Sequence, residues 1–281
     1  MQESRPTLEG LEQVLDLIAS DPSIPPNYSD WIRASLRSGG WKNRILSYVL
    51  DHAPSKTVRP SLLDVGAQFG SLAVYAAKLG CRAAAVDYGP FAKVYREIAA
   101  DYGVDYKECD VGSERLPFPD SVFDFATYTD VLEHHSFSSK RVLLEIHRVL
   151  VPGGRLILMT PNHASIYNRV KLLFGYSVND DFDYFFETCA AQETYGGHHR
   201  EYTREEVKSA LRGTQFQVLE CRIVEQDLGP LVRYLRRHRT QSDVPSRYRD
   251  VLLCALGKIW TPLHLPFGRW IWAVGEKEKG R

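Results

Sequence analysis

The feature of this sequence that most constrains its fold is a glycine turn placed between an apolar segment and a helical one. Residues 61–65 are short, mostly apolar and flanked by Pro60 and Gly66, which is typical of a central strand in a parallel sheet. Gly66 and Gly70 let the backbone turn sharply and approach a ligand without a Cβ in the way. Residues 71–79 have helical spacing, so the amides at the start of that helix would face whatever lies over the turn. The pattern therefore predicts a binding site of the nucleotide type.

Two carboxylates downstream of the turn strengthen this prediction. Asp87 ends a second apolar run at 83–86 and stands 23 residues after Asp64, near the spacing at which an acidic residue holds a pair of ribose hydroxyls. The alternative is that Asp87 is a loop residue that caps the next helix. Asp110 ends a third predicted strand, where its carboxylate would be placed to accept a hydrogen bond from an adenine amino group.

Apolar runs and helical stripes alternate through the middle of the chain. Strands are predicted near 61–65, 82–86, 104–108, 123–128 and 155–160. Repeated βα units of this kind give an α/β fold with a parallel sheet, in which ligands bind beyond the carboxyl ends of the strands. The residues that fall at such ends are Gly66, Asp87, Asp110, Thr129 and Asn162.

Other local signals predict the surrounding elements. Apolar stripes predict leading helices at 8–20 and at Trp41 to Leu50. Ser139 is expected to cap a helix, and Pro152-Gly153-Gly154 to turn the chain into the fifth strand. Thr203 and Glu206 match a capping box at the start of a helix that reaches Arg212, and a strand at 216–224 follows.

The motifs occur in an order that resembles the class I S-adenosylmethionine-dependent methyltransferases. The resemblance is nearest to their small-molecule branch related to the quinone-biosynthesis methyltransferases. It is good over about 55–160, weaker over 197–203 and slight elsewhere. The motifs are specific for the class of cofactor and barely specific for the substrate. The segments that carry the resemblance are 62–73, 109–111, 116–126, 129–135 and 150–162.

This resemblance implies a Rossmann-like, mostly parallel seven-stranded sheet with helices on both faces and added helices. The last strand, expected at Trp270 to Val274, would be antiparallel. Residues 1–52 would form an N-terminal helical cap, and 53–281 the methyltransferase domain. Gln68 stands where the family usually has a third glycine. The residues expected to line the S-adenosylmethionine site are Asp64, Gly66, Ala67, Gln68, Gly70, Asp87, Tyr88, Asp110, Val111 and Thr129.

Two insertions are predicted within the domain. The aromatic-rich segment at about 163–203 follows the fifth strand, so it is expected to form a lid or an acceptor pocket; alternatively, its aromatic side chains fill a core of their own. The second insertion, at about 226–268, contains six arginines between 233 and 249 and the apolar segment 251–257. The arginines are consistent with a solvated helix face, with binding of an anionic acceptor or with contact to a phospholipid surface. The apolar segment is consistent with a buried helix, a dimer face or an interfacial helix. Peripheral membrane contact through 233–260 and a homodimer are therefore open alternatives.

Histidines supply the candidates for a general base, because their ordinary pKa near 6.5 suits proton transfer from a hydroxyl. His135 and His199 are the leading candidates, since each lies in a loop expected to border the acceptor. Glu133 is expected to be structural or to orient a neighbouring histidine. No metal site is predicted, and a site built from His134, His135 and a carboxylate is the alternative. The other histidines near strand ends or the insertion are His163 and His198.

Composition narrows the remaining classes. The formal net charge is zero, which argues against a general nucleic-acid binder. The five scattered cysteines lack metal-site spacing and no signal-peptide run is present, so a cytoplasmic protein with reduced thiols is expected. The predicted activity is O-methylation of a small-molecule, glycan or lipid-like acceptor by S-adenosylmethionine. The alternatives are N- or C-methylation, a non-catalytic S-adenosylmethionine-binding protein and a nicotinamide dehydrogenase, of which the last leaves the motifs after Asp87 unexplained.

Overall fold

The computed structural model describes most of the sheet-forming part of the chain. The described residues are 6–22, 24, 29, 32, 40–55, 59–89, 92–179, 182–183, 185–186, 197–224 and 268–279. The arginine cluster and the apolar segment 251–257 lie outside these residues, so the alternatives attached to them stay predictions.

Seven strands form one sheet with the order β3-β2-β1-β4-β5-β7-β6. Strands β1 to β5 are mutually parallel, and β7 runs antiparallel to both β5 and β6. This confirms the expected sheet and its antiparallel last strand. The strands are β1 (Ser61–Val65), β2 (Arg82–Asp87), β3 (Asp105–Glu108), β4 (Phe123–Thr129), β5 (Leu150–Pro161), β6 (Phe216–Val224) and β7 (Trp270–Lys277).

Seven α-helices and one 3-10 turn accompany the sheet among the described residues. The helices are α1 (Leu8–Ala19), α2 (Gly40–Asp51), α3 (Ser71–Lys78), α4 (Ala92–Asp101), α5 (Lys140–Val149), α6 (Ile166–Leu173) and α7 (Arg204–Arg212), and the 3-10 turn is Leu132–His134. None of these helices combines the length and apolar character that a membrane span requires.

Helices cover both faces of the sheet, because neighbouring strand residues point to opposite sides. Leu62 of β1 belongs to a core shared with the apolar sides of α1, α2, α3 and α4. Its neighbour Leu63 belongs to a second core shared with α5 and α7. The N-terminal helix α1 is joined to the sheet region through Tyr75, whose hydroxyl accepts from Thr7 N at 2.6 Å and donates to Thr7 O at 2.9 Å.

Two local predictions differ from the structure. Strand β5 begins at Leu150 and includes Pro152-Gly153-Gly154, where the β4–β5 register shifts. A Cβ on Gly154 would lie 2.8 Å from Val151 O, so glycine allows an irregularity inside the strand where a turn before it was expected. Ser139 occupies the N-cap position of α5 but makes no side-chain capping bond, because its hydroxyl lies 3.0 Å from His135 Nδ1. The Thr203–Glu206 capping box at α7 is confirmed.

Candidate active site

The carboxyl ends of the parallel strands bring the predicted donor-site residues to one edge of the sheet. Gly66 follows β1, Asp87 ends β2 and Thr129 ends β4, while Asp110 lies two residues beyond β3. Since β1, β2, β3 and β4 are adjacent and parallel, these positions meet at the same edge.

The glycine turn after β1 is held by backbone hydrogen bonds. Gly66 N and Ala67 N donate to Val86 O at 2.9 and 3.1 Å, and Gly70 N donates to Ala67 O at 2.7 Å. Gly66 has φ 75°, and a Cβ built on it would lie 2.3 Å from Val131 Cγ2. Only glycine meets both conditions without displacing its neighbours. The turn ends at Gly70, the N-cap residue of α3.

Gln68 adopts the left-handed backbone conformation that a glycine would take at this place, with φ 47°. Its amide donates a short hydrogen bond to Asp87, and its carbonyl accepts from the Tyr106 hydroxyl at 2.7 Å. Asp87 also accepts from Tyr88 N at 2.6 Å. The carboxylate expected to hold a ribose therefore also fixes the glycine turn. Burial raises the pKa of Asp87, while these two amide bonds oppose the shift.

A buried lysine that no sequence motif marks lies beside the turn. Lys42, from α2, donates to Ser71 Oγ at 2.6 Å at the start of α3. Burial lowers the pKa of Lys42 to about 8, against the attraction of Asp64 and Asp130. Asp64 is buried and accepts from Thr127 Oγ1 at 2.7 Å; burial raises its pKa to about 6. Helix α2 was predicted from the spacing of its apolar residues, and nothing in that pattern distinguished Lys42 from a lysine exposed to solvent.

The remaining predicted donor-site residues differ in their surroundings. Asp110 accepts from Ser113 Oγ at 2.6 Å and from Gly112 N at 3.0 Å, and the serine bond is the largest cause of its lowered pKa. Thr129 is buried, and Val111 is partly buried against the second core. The side chain of Tyr88 is 68% exposed.

His135 and His199 both line one cavity of about 730 Å³, which lies between α5 and α7. His135 Nδ1 lies 3.0 Å from the Tyr128 hydroxyl, and its ring stacks on Phe137 with centroids 4.3 Å apart. Burial lowers the pKa of His135 to about 4, with His134 adding to the effect. The cavity is lined by residues from the segments 132–143, 199–202 and 209–214. None of the described residues that line it belongs to the glycine turn.

The cavity nevertheless adjoins the donor edge of the sheet. The Phe137 ring packs on Gly112, where an added Cβ would lie 2.4 Å from Cζ. Gly112 is bonded to Asp110, and the charges of Asp110 and His135 interact. The structure therefore brings the two candidate histidines to one cavity and places His135 near the end of β3.

Glu133 joins two segments that are distant in sequence. Its carbonyl accepts from His199 N at 2.8 Å and from Arg200 N at 3.2 Å, and its carboxylate accepts from Thr160 Oγ1 at 2.9 Å. Burial raises the pKa of Glu133 to about 7, and Asp130 adds to the shift. Ligand-type atoms of Glu133, His134 and His198 lie within 4.8 Å of one another. His135 Nδ1 lies instead near the hydroxyls of Tyr128 and Ser139, so this group of ligand-type atoms contains His198 where the alternative considered from the sequence had His135.

The aromatic-rich insertion is described in part. Its end is tied to the end of β5, since His163 N donates to Tyr202 O at 2.9 Å and Asn162 bridges to Tyr202. The alternative that its aromatic side chains fill a core of their own stays a prediction; Phe182, Phe185 and Phe186 are exposed, and Phe174 is partly buried. The exposed apolar side chains of this segment are Leu172, Leu173, Phe182, Phe185 and Phe186.

Comparison with known proteins agrees with this geometry. Residues 63–158 match a methyltransferase domain family. The chain is 28% identical to a demethylmenaquinone methyltransferase of Thermus thermophilus over 48% of this chain and 61% of that protein. It is 30% identical to a ubiquinone/menaquinone biosynthesis C-methyltransferase of Methylobacterium nodulans over 50% of this chain and 58% of that protein. The chain thus spans about three fifths of the length of each.

Solved structures show the same fold. An S-adenosylmethionine-dependent methyltransferase from Mesorhizobium loti superposes with a TM-score of 0.53 at 16% identity, covering 85% of this chain and 99% of that one. Because the identity is low, this likeness concerns the fold alone. With the sheet order, the glycine turn and the family match taken together, residues 63–158 form a methyltransferase domain similar to those of the class I S-adenosylmethionine-dependent enzymes.

Proposed function

We propose that this protein transfers a methyl group from S-adenosylmethionine to a small-molecule acceptor. The observation that carries the proposal is the glycine turn at the carboxyl edge of the sheet, fixed by Asp87 on one side of Gln68 and by Tyr106 on the other. The match of residues 63–158 to a methyltransferase domain supports the same conclusion.

The described residues fit the chemical groups of the donor. The amides at the start of α3 and the ammonium of Lys42 suit a carboxylate, and the buried carboxylate of Asp64 suits an ammonium. Asp87 suits a ribose diol and Asp110 an adenine amino group. S-adenosylmethionine, when bound, supplies a methyl group already activated by its sulfonium. The protein then has to align the acceptor and exclude water.

The acceptor is proposed to enter from the side of the cavity that holds His135 and His199. A hydroxyl acceptor must lose a proton, so O-methylation with one of these histidines as the general base is the leading reaction. The exposed apolar side chains at 172–186 support an acceptor with apolar surface, such as a lipid-like metabolite. A glycan acceptor and N-methylation remain alternatives.

Carbon methylation is the second candidate, because one of the relatives is named a C-methyltransferase. That reaction also needs a proton to leave the acceptor, after the new bond has formed. The same two histidines are then candidates for accepting it.

Two measurements test the proposal. Calorimetry should show binding of S-adenosylhomocysteine and much weaker binding of NAD; preferential binding of NAD would overturn the donor assignment. Transfer of a labelled methyl group should then be followed across hydroxylated aromatics, quinols, amines, glycans and fatty alcohols, with His135→Ala and His199→Ala as variants. Tight donor binding without transfer to any acceptor would indicate a non-catalytic binding protein.

A further inference from the structure

We propose that Glu133, His134 and His198 bind a divalent transition-metal ion, with zinc as the best match. These residues come from the 3-10 turn after β4 and from the segment before α7, and their ligand atoms lie within 4.8 Å of one another. Two imidazoles and one carboxylate are a common donor set for zinc. The inference does not depend on which acceptor is methylated.

The hydrogen bonds of the two histidines favour metal binding through Nε2. His134 Nδ1 lies 3.2 Å from Gly197 O, which can only accept, so the hydrogen of the neutral ring is on Nδ1. His198 Nδ1 lies 3.3 Å from Glu201 Oε1, which fixes the same tautomer. An Nε2 atom that keeps its lone pair is the usual metal ligand, and a carboxylate or carbonyl behind Nδ1 is its usual support.

The supporting groups are themselves fixed. Glu201 Oε2 accepts from Asn168 Nδ2 at 2.8 Å, and Asn168 also donates to His163 O at 3.1 Å. Glu133 is 1% exposed and is oriented by Thr160. Because the protein already holds these side chains in place before an ion binds, less conformational entropy is lost on binding.

Access to the cluster also favours a cation here. His134 is exposed and His198 lines the cavities of about 640 and 280 Å³ beside α6 and α7. Three protein ligands with access to solvent leave a fourth position for water or an acceptor oxygen.

The expected geometry requires a small contraction. Zinc–nitrogen and zinc–oxygen bonds of about 2.1 Å in a tetrahedron place ligand atoms about 3.4 Å apart. The three groups therefore have to approach by up to about 1.4 Å from their outer limit of 4.8 Å. Since His134 is exposed, its side chain can move by this amount without disturbing the core.

The test is equilibrium dialysis of the full chain against zinc, with the bound metal counted by mass spectrometry. One zinc per chain is expected, with magnesium and calcium bound at least about 100-fold more weakly because they prefer oxygen ligands. His134→Ala and His198→Ala should each weaken zinc binding by about 100-fold or more, and Glu201→Gln by about 10-fold. His134→Ala is the main variant, because His134 is exposed and its replacement is not expected to disrupt folding. Glu133→Gln is the second variant.

His199→Ala is the matched control. It removes a histidine next to the cluster, yet the bond to Glu133 comes from the His199 backbone and is kept. Unchanged zinc binding in this variant is expected. Less than one zinc per chain, or equal losses in His134→Ala and His199→Ala, would overturn the proposal. Zinc should also raise the unfolding temperature of the unmodified chain and leave that of His134→Ala unchanged, a readout independent of methyl transfer.

Discussion

The proposed donor side and the proposed acceptor side of the site are built in different ways. On the donor side, from β1 to β3, backbone groups and one carboxylate fix the turn, and most partners lie within about forty residues of one another, as Asp87 and Tyr106 lie near Gln68. On the acceptor side, Glu133 is joined to His199 and His134 to Gly197, each across more than sixty residues of sequence. A local, backbone-based site tolerates few substitutions but is easy to recognise. A site assembled from distant side chains can vary in chemistry while the donor side stays the same.

The largest effect expected on the donor side is that of Gly66→Ala. The new Cβ would collide with Val131 while the backbone keeps a positive φ, so a loss of about 3 kcal/mol in the free energy of unfolding is expected. Gly103→Ala is the matched control, because Gly103 also has a positive φ (72°) but has no atom within 4 Å of an added Cβ. Urea denaturation should show a loss of only about 1 kcal/mol there. Equal losses would mean that Val131 does not restrict the turn.

The second prediction concerns the pH dependence of stability that Asp64 and Lys42 impose. The pKa of Asp64 is raised from 3.8 to about 6, so the unfolded chain loses its proton first and stability falls as pH rises through this range. The pKa of Lys42 is lowered from 10.5 to about 8, so stability rises from pH 8 towards 10.5, by up to about 3 kcal/mol. Unfolding free energies of the donor-free protein, measured by urea from pH 4 to 10, should show a minimum between about 6 and 8.

Lys42→Met provides the control for that profile. The rise above pH 8 should disappear in this variant, since the methionine side chain does not titrate. A rise of the same size in both proteins would assign it to other groups.

The third prediction distinguishes the proposed donor side from the proposed acceptor side by the effect of a substitution on donor binding. Asp87→Ala should weaken S-adenosylhomocysteine binding by about 30-fold, because it removes charged hydrogen bonds both to the turn and to the expected ribose. His135→Ala, on the acceptor side, should change the same dissociation constant by less than about threefold. Calorimetry decides between them, and equal affinities in the two variants would contradict the proposed arrangement of the site.

The smallest effect is expected for Gln68→Gly. The contacts of Gln68 with Asp87 and Tyr106 are made by its backbone, and glycine adopts φ 47° readily. Donor affinity should change by less than about threefold and stability by less than about 1 kcal/mol. A large loss of affinity would show that the Gln68 side chain itself contacts the donor.

The same contrast explains what could be predicted from the sequence. Strand alternation and the glycine turn are local patterns, so the bounds of β1 and β6 and the capping box at Thr203 were predicted correctly. The antiparallel direction of the last strand, β7, came from the family resemblance. The inclusion of Gly153 and Gly154 in β5 could not be seen, because it depends on pairing with β4.

The residues of the candidate site divide in the same way into those that the sequence predicted and those that it did not. Strand ends predicted the positions of Gly66, Asp87 and Asp110, since chain order determines which ends share an edge. Lys42 was not singled out, because it reaches the site from a leading helix. His198 was named only among the candidate histidines, because its place beside Glu133 depends on tertiary contacts. Ser139 was assigned to capping from its position alone, whereas the structure pairs its hydroxyl with His135.

The position of β7 has a consequence for the order in which the protein can fold. Among the strands that the structure describes, β6 hydrogen-bonds only to β7, although some 45 residues separate the two in the chain. During synthesis, β1 to β5 can associate as soon as they leave the ribosome, whereas β6 meets its partner among these seven strands only after β7 has been made. Until then, none of the seven strands covers the edge of β5, and an uncovered strand edge makes a nascent protein prone to aggregate.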